Sequence, residues 1–407
     1  MRRGGEVDAT RIEDLPAEYR RYGDGSIGPL WDAIHLPAHE LDERLVQILD
    51  SVVPLSLVSG LWHRQSKQVE VICKQSSLKG KDLNKDLEIE FRGEIYRTRF
   101  APASSALREI ASRHIVAPGG DEHRVARALR ELKDEVGPQQ SFWMGPLASF
   151  DDEHVTELAE HLNFYLRLFD PDSITISTDA QRRGRVAYPR LFDSPLPSPI
   201  QSAQIPTFVL KLWYASLEGG DYFRRFLEAF RVLEYTAPRL AERTVIEKIR
   251  RAASSDDALA VEGLRFLGKI RGNAVNVVNS LRVAEASHDP MLRAMLRRAI
   301  GDRFPHWRHR VWDFDGLAKP AGPVVNCIAE GAHEIEESDA EQIIKGICAI
   351  RNSIVHFDEH DKAIRPTSKN NQMLAEWLPV LNALAMWTMD RRAGSSTKSP
   401  TPPASPP

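Results

Sequence analysis

The stretch SDAEQIIKGICAIRNSIVHFDEH, Ser338 to His360, constrains the fold of this chain more than any other. Ser338 followed by Glu341 is a capping-box spacing and predicts a helix start. Ile343, Ile347, Ile350, Ile354 and Phe357 recur at helical spacing, and Ile344, Cys348 and Val355 widen the stripe. Only a narrow wedge of Glu341, Lys345, Asn352 and His356 stays polar, with Arg351 at its border. So broad an apolar face predicts a core helix, and polar residues late on such a helix call for a reason.

Asn352 and His356 are four apart and lie one above the other. Arg351 and His356 are separated by roughly 140° around an ideal helix, so they converge only through the long Arg stem or a cleft completed by a second helix. A His in the last turn feels the negative end of the helix dipole, which favours its protonated form. An imidazole poised near neutrality beside a guanidinium suits phosphodiester chemistry. The hexapeptide Arg351-Asn352-Ser353-Ile354-Val355-His356 resembles the R-N-x-x-x-H signature of HEPN domains, helical bundles found in many prokaryotic ribonucleases. Upstream, Phe226-Leu227-Glu228-Ala229-Phe230-Arg231-Val232-Leu233-Glu234-Tyr235 resembles the first helix of the same domains, which often reads Y-x-V-L-E-Y. The resemblance covers roughly Ile205 to Arg392 and nothing before it.

The 407 residues are enough for two domains. The division expected is an α+β domain from Met1 to Gln204, an all-α HEPN-like bundle from Ile205 to Arg392, and a disordered Ser/Pro-rich tail from Ala393 to Pro407. A net charge of −3 provides no global basic field, so contact with nucleic acid must come from a local patch. Three cysteines, Cys73, Cys327 and Cys348, form no CxxC pair, which argues against a disulfide framework or a Cys-based zinc site. With no basic-then-apolar leader and no apolar run near the roughly 20 residues of a membrane span, a soluble cytoplasmic protein is expected, with no membrane partner.

Met1 to about Ala38 reads as a loosely packed arm with short helical pieces. His35 and His39 flank Pro37 and form a weak metal pair; a surface loop is the preferred reading because metal sites need three or four placed donors. Strands are expected at Val52–Ser59, Gln68–Lys74, Asp86–Phe91 and Glu94–Phe100, the last two joined by Arg92-Gly93 as a tight hairpin. Ser141–Leu147 and Ser173–Ser177 are further strand candidates, and helices are expected at Ser105–Arg113, His123–Val136 and Glu153–Phe169. No P-loop, G-x-G-x-x-G or G-x-S-x-G occurs here, so this half reads as a recognition or regulatory domain. Gln181-Arg182-Arg183-Gly184-Arg185 precedes the Pro-rich stretch Pro189 to Pro206. It reads first as an interdomain linker, and in the sharper reading Arg182 and Arg183 contact RNA phosphates.

From Thr207 the pattern is helical, with Asp221–Tyr235 followed by a second helix opened by Pro238, then Asp257–Arg271, Ala274–Ala286, Pro290–Ile300 and a final helix Thr367–Arg391 containing Pro379. Glu234 is either a boundary residue or a carboxylate that orients Arg351 or His356. Basic and aromatic residues alternate from Arg303 to Trp312, so Arg303, Trp307, Arg308 and Arg310 are the local RNA-binding candidates; a structured loop plugged by its Trp residues is the other reading. Asp313-Phe314-Asp315-Gly316 reads as a turn rather than a cation site, since a hard cation wants six or more oxygens. His356-Phe357-Asp358-Glu359-His360 also matches H-x-x-E-H, the inverted zinc-peptidase motif, but no third ligand is evident.

The HEPN resemblance implies a metal-independent endoribonuclease with no cofactor. Two protomers would pair through the bundle to bring their Arg351/His356 helices to one cleft. His356 would take the proton of a ribose 2′-hydroxyl, Arg351 would stabilise charge on the phosphoryl oxygens, and Asn352 would position the imidazole or a phosphate oxygen. Such domains serve toxin–antitoxin or anti-phage defence, which would add an antitoxin or trigger molecule to RNA as partners. The alternative is a non-catalytic HEPN module that binds RNA or nucleotide and mediates dimerisation.

Overall fold

A computed structural model describes residues 19–21, 27–29, 34–37, 41–55, 57–73, 86–113, 115, 124–133, 140–147, 151–169, 176, 198–202, 205–217, 221–252, 276–301, 314, 335–355, 364 and 366–390. The chain divides into two compact units. One comprises Met1–Leu166, Ser173–Gln181 and Leu196–Ser202; the other comprises Arg167–Asp172, Arg182–Pro195 and Ala203–Pro407. The first is α+β and the second is helical. The Ser/Pro-rich tail, the expected helix at Asp257–Arg271 and the expected strand at Ser173–Ser177 (apart from Ile176) lie outside the described residues.

In the first unit, β1 (Tyr19–Arg21) and β2 (Ile27–Pro29) pair as a separate antiparallel ladder where an arm with helical pieces was expected. The main sheet holds β3 (Val52–Pro54), β4 (Gly60–His63), β5 (Gln68–Ile72), β6 (Leu87–Phe91), β7 (Glu94–Pro102), β8 (Gln140–Met144) and β9 (Ile200–Gln201), in the order β3-β4-β5-β8-β7-β6-β9. Six strands run antiparallel; β9 joins the edge parallel to β6 through Ile89↔Ile200 and Glu90↔Gln201. The end of the Pro-rich stretch, expected as linker, therefore belongs to the sheet. The expected strand Val52–Ser59 is also corrected, since Val52–Pro54 ends early and Gly60 begins a new strand antiparallel to it.

The Arg92-Gly93 hairpin forms as expected. Both residues have positive φ (55° and 84°), the type I′ geometry whose twist matches paired strands, and Gly93 takes it without a Cβ clash.

Cross-strand partners share a face of the sheet. On one face, Phe91 and Tyr96 pack on α4 (Asp152–Phe169) through His154 and His161. On the other, Val52, Leu61 and Ile72 join a buried cluster with α1 (Glu43–Ser51), α2 (Ser105–Ser112) and α3 (Arg124–Lys133). Glu70, fully buried on this face, fixes the start of α2. Its carboxylate accepts from the Ser104 amide (2.8 Å) and hydroxyl (2.6 Å), while the Ser104 oxygen caps the Leu107 amide (2.9 Å).

The second unit contains α5 (Thr207–Leu217), α6 (Tyr222–Ala252), α7 (Val277–Val283), a 3₁₀ turn (Ala286–His288), α8 (Pro290–Ile300), α9 (Glu337–Val355) and α10 (Ser368–Asp390). Helix α8 starts where expected, because Pro290 suits the first turn and Asp289 caps the Met291 and Leu292 amides. Pro238, expected to open a new helix, instead lies inside α6. An interior proline costs about 3 kcal/mol or more, and here the helix runs on because Leu240, Ala241 and Val245 continue the buried side of Leu233 and Ala237.

Helix α10 packs along α6 and against α8. Every residue from Val380 to Met389 is buried, so α10, more than α9, forms the centre of this unit. Polar side chains inside are cross-linked: the Thr236 and Thr388 hydroxyls pair at 2.8 Å, Ser216 donates to Asn382 Oδ1 at 3.2 Å, and buried Arg225 donates to the Ser216 carbonyl at 2.8 Å.

Helix α9 begins one residue before the expected cap. Its start is closed by Asp339, whose carboxylate accepts from the Glu336 amide (3.4 Å), while Glu341 pairs with Lys345 (3.0 Å) on the surface. The Ser338/Glu341 spacing is thus not the cap in use. Ile343, Ile344, Ile347, Cys348, Ile350 and Ile354 are buried as expected, whereas Val355 is exposed.

Candidate functional site

The last turn of α9 meets the middle of α6 at an ion pair. Arg351 Nη2 donates to Glu234 Oε1 at 2.6 Å, and Nη1 donates to Asn352 Oδ1 at 3.2 Å. The guanidinium carbon stands 5.5 Å from the centre of the Phe230 ring. Phe230 and Glu234 are four apart on α6, so one face of that helix offers a ring below and a carboxylate beside the cation. The Arg351 side chain is 26% exposed and that of Glu234 40%, so the pair is reached by solvent from one side.

What anchors Arg351 is the apolar side of its own helix. Ile350 and Ile354 are buried, fixing the rotation of α9 and hence the direction of residue 351. Below the pair, burial pushes the Cys348 thiol up to about 12, with Arg351 pulling it down and Glu234 pushing it up. A thiol so far from ionisation is no nucleophile at neutral pH. At the end of the helix, buried Ile364 donates its amide to the Ser353 carbonyl at 2.9 Å, tying the following chain to the last turn.

Of the residues singled out in the sequence, Arg351, Asn352 and Glu234 are brought together. Glu234 stands exposed on α6 and bonds directly to Arg351. His356, Arg303, Trp307, Arg308, Arg310, Arg182 and Arg183 lie outside the described residues, as do His39 and the Glu359-His360 end of the H-x-x-E-H match. Among the described residues no group of three or more His, Cys, Asp or Glu could hold a metal ion. Nor is any described helix long and apolar enough to cross a membrane.

In the sequence Phe230 is marked only as an apolar residue of its helix and of the HEPN-like segment, not as part of the site. The available signal was its i,i+4 spacing to Glu234, but a Phe on an amphipathic helix reads as core and nothing local shows that an Arg will sit over it. Comparison with known proteins adds no identity: no family model, no curated protein and no solved structure matches this chain.

Proposed function

We propose that the helical unit is a HEPN-type, metal-independent endoribonuclease. The observation that carries the reading is the Arg351–Glu234 pair with Asn352 on the same guanidinium, late on a buried helix and open to solvent on one side. An arginine held by a carboxylate and an aromatic ring has its fork pre-aimed, which is what stabilising charge on a phosphoryl group requires. His356, one residue past the described end of α9, acts as general base on the ribose 2′-hydroxyl. That oxygen attacks the adjacent phosphorus, the 5′-oxygen leaves, and a 2′,3′-cyclic phosphate end results. Glu234 positions Arg351 without touching substrate. By the same resemblance two copies pair through the bundle to complete the cleft, and the setting is defence against phage or a toxin–antitoxin pair.

One observation favours a second reading. The Arg351 charge is already compensated at 2.6 Å, as expected of a clamp between α6 and α9 in a module that binds RNA or nucleotide without turnover. Incubating the full chain with labelled RNA in excess chelator separates the two. Cleavage is expected, with cyclic phosphate ends, and with a loss of about 100-fold or more in His356→Ala and Arg351→Ala. Binding without cleavage supports the module. Cleavage that survives His356→Ala at the wild-type rate overturns the proposed chemistry. Activity on RNA or peptide only with added zinc would instead favour the H-x-x-E-H hydrolase.

A further inference from the structure

Among the described residues, the helices of the first unit cover only part of one face of its sheet. The α1–α3 cluster covers that face at Val52, Leu61 and Ile72; beyond it lies a pocket of about 430 Å³. Its lining includes Gln68, Glu88, Arg97, Arg99 and Trp143, with Asp86 at one side. Strand register explains why these side chains converge. Arg97 pairs with Glu88, Arg99 with Trp143, and Trp143 in turn with Glu70, two residues from Gln68 on the same face.

The groups in this pocket differ in how they are satisfied. Arg97 Nε donates to Glu88 at 3.2 Å, whereas among the described residues the Arg99 guanidinium makes no hydrogen bond or ion pair. The Trp143 indole N–H is buried and lacks a partner among the described residues. Behind the indole, His63 packs at 5.1 Å between ring centres with the planes 32° apart, and His63 is itself held by Glu70 at 2.8 Å. Trp143 is thus braced by a chain that ends at the buried carboxylate holding Ser104, the cap of α2. A braced aromatic surface loses little freedom when a ligand docks on it.

We propose that this pocket binds a mononucleotide, its base lying against the Trp143 indole and its phosphate on Arg99. The volume falls within the range of small-molecule sites, about 300–1,000 Å³. A guanidinium without a partner among the described residues, directly across the strand pair from an indole, matches a ligand that joins an anion to a flat ring. Gln68 offers both a donor and an acceptor for a base edge. Asp86 and Glu88 flank the site and repel further negative charge, so a monophosphate is favoured over a triphosphate. The proposal is independent of the ribonuclease reading, because nothing in it depends on turnover.

Isothermal titration of the full chain with AMP, GMP, CMP and UMP tests it, with inorganic phosphate, the matching nucleosides and the triphosphates as comparison ligands. At least one monophosphate is expected to bind about tenfold or more tighter than its nucleoside, its triphosphate or phosphate alone, since one such factor corresponds to a single good contact. Arg99→Ala should weaken it about tenfold or more with the melting temperature unchanged, Arg99→Lys should restore part of the loss, and Trp143→Phe should weaken it less than Trp143→Leu. The proposal is overturned if no monophosphate binds at millimolar concentration, if Arg99→Ala leaves the affinity intact, if a triphosphate binds tighter, or if a single-stranded oligonucleotide outcompetes every mononucleotide.

Discussion

The side chains packed around α10 and those on the open half of the sheet differ in the partners they find. Around α10 the Thr236 and Thr388 hydroxyls pair, Ser216 donates to Asn382, and Arg225 Nε donates to the Ser216 carbonyl, while Arg225 Nη2 is buried without a hydrogen-bond partner among the described residues. At the edge of that interior Arg351 is met by Glu234 and Phe230. On the open half of the sheet, Arg99 and the Trp143 indole N–H have no such company among the described residues. The difference teaches where to look for ligands: a polar group that the fold itself has satisfied is a positioned tool, while one left unsatisfied beside a cavity is a place for something else to bind.

Trp387 is 1% exposed within the wholly buried run of α10, so Trp387→Ala should cost about 3–5 kcal/mol; urea unfolding measures it, and a loss below about 1 kcal/mol would mean that this interior is not closed. Asp390 ends the same helix, and burial pushes its carboxyl from an ordinary 3.8 up to about 6. The folded value lies above the unfolded one, so the protonated form contributes stability fully below about pH 4 and that contribution is lost as pH rises through about 6. Asp390→Asn should therefore melt higher than the wild type at pH 7.5 and at the same temperature near pH 4; a difference independent of pH would refute the assignment. The smallest effects lie at the two arginines. Glu234→Gln should change stability by no more than about 1 kcal/mol, since the pair is part-exposed, and Arg99→Ala by no more than about 0.5 kcal/mol, since its side chain is exposed and bonds to none of the described residues. Equal and large losses at both would erase the contrast between a satisfied and an unsatisfied guanidinium.

Legibility in the sequence followed the range of the forces. The β6–β7 hairpin was readable because alternation and Arg92-Gly93 are local signals, and α8 because Asp289 and Pro290 act within one turn. The start of α9 was not, since Ser338, Asp339 and Glu341 all offer cap chemistry and only the burial of Asp339 chooses among them. Strand β9 was hidden because two residues carry no period, and it exists only by pairing with β6. Likewise Pro238 reads as a boundary by its own geometry and was overruled by the packing of residues on both sides of it.

At the candidate site, the order of residues places Arg351 and Asn352 late on a helix whose isoleucines must be buried, because helical periodicity is local. That Glu234, 117 positions away, is the carboxylate meeting Arg351 follows from how α6 and α9 pack. How the strands pair likewise decides that Arg99 faces Trp143 across the open sheet. Helix periodicity and turn chemistry act over a few residues. Which helices pack and which strands pair depends on burying apolar surface contributed from distant parts of the chain.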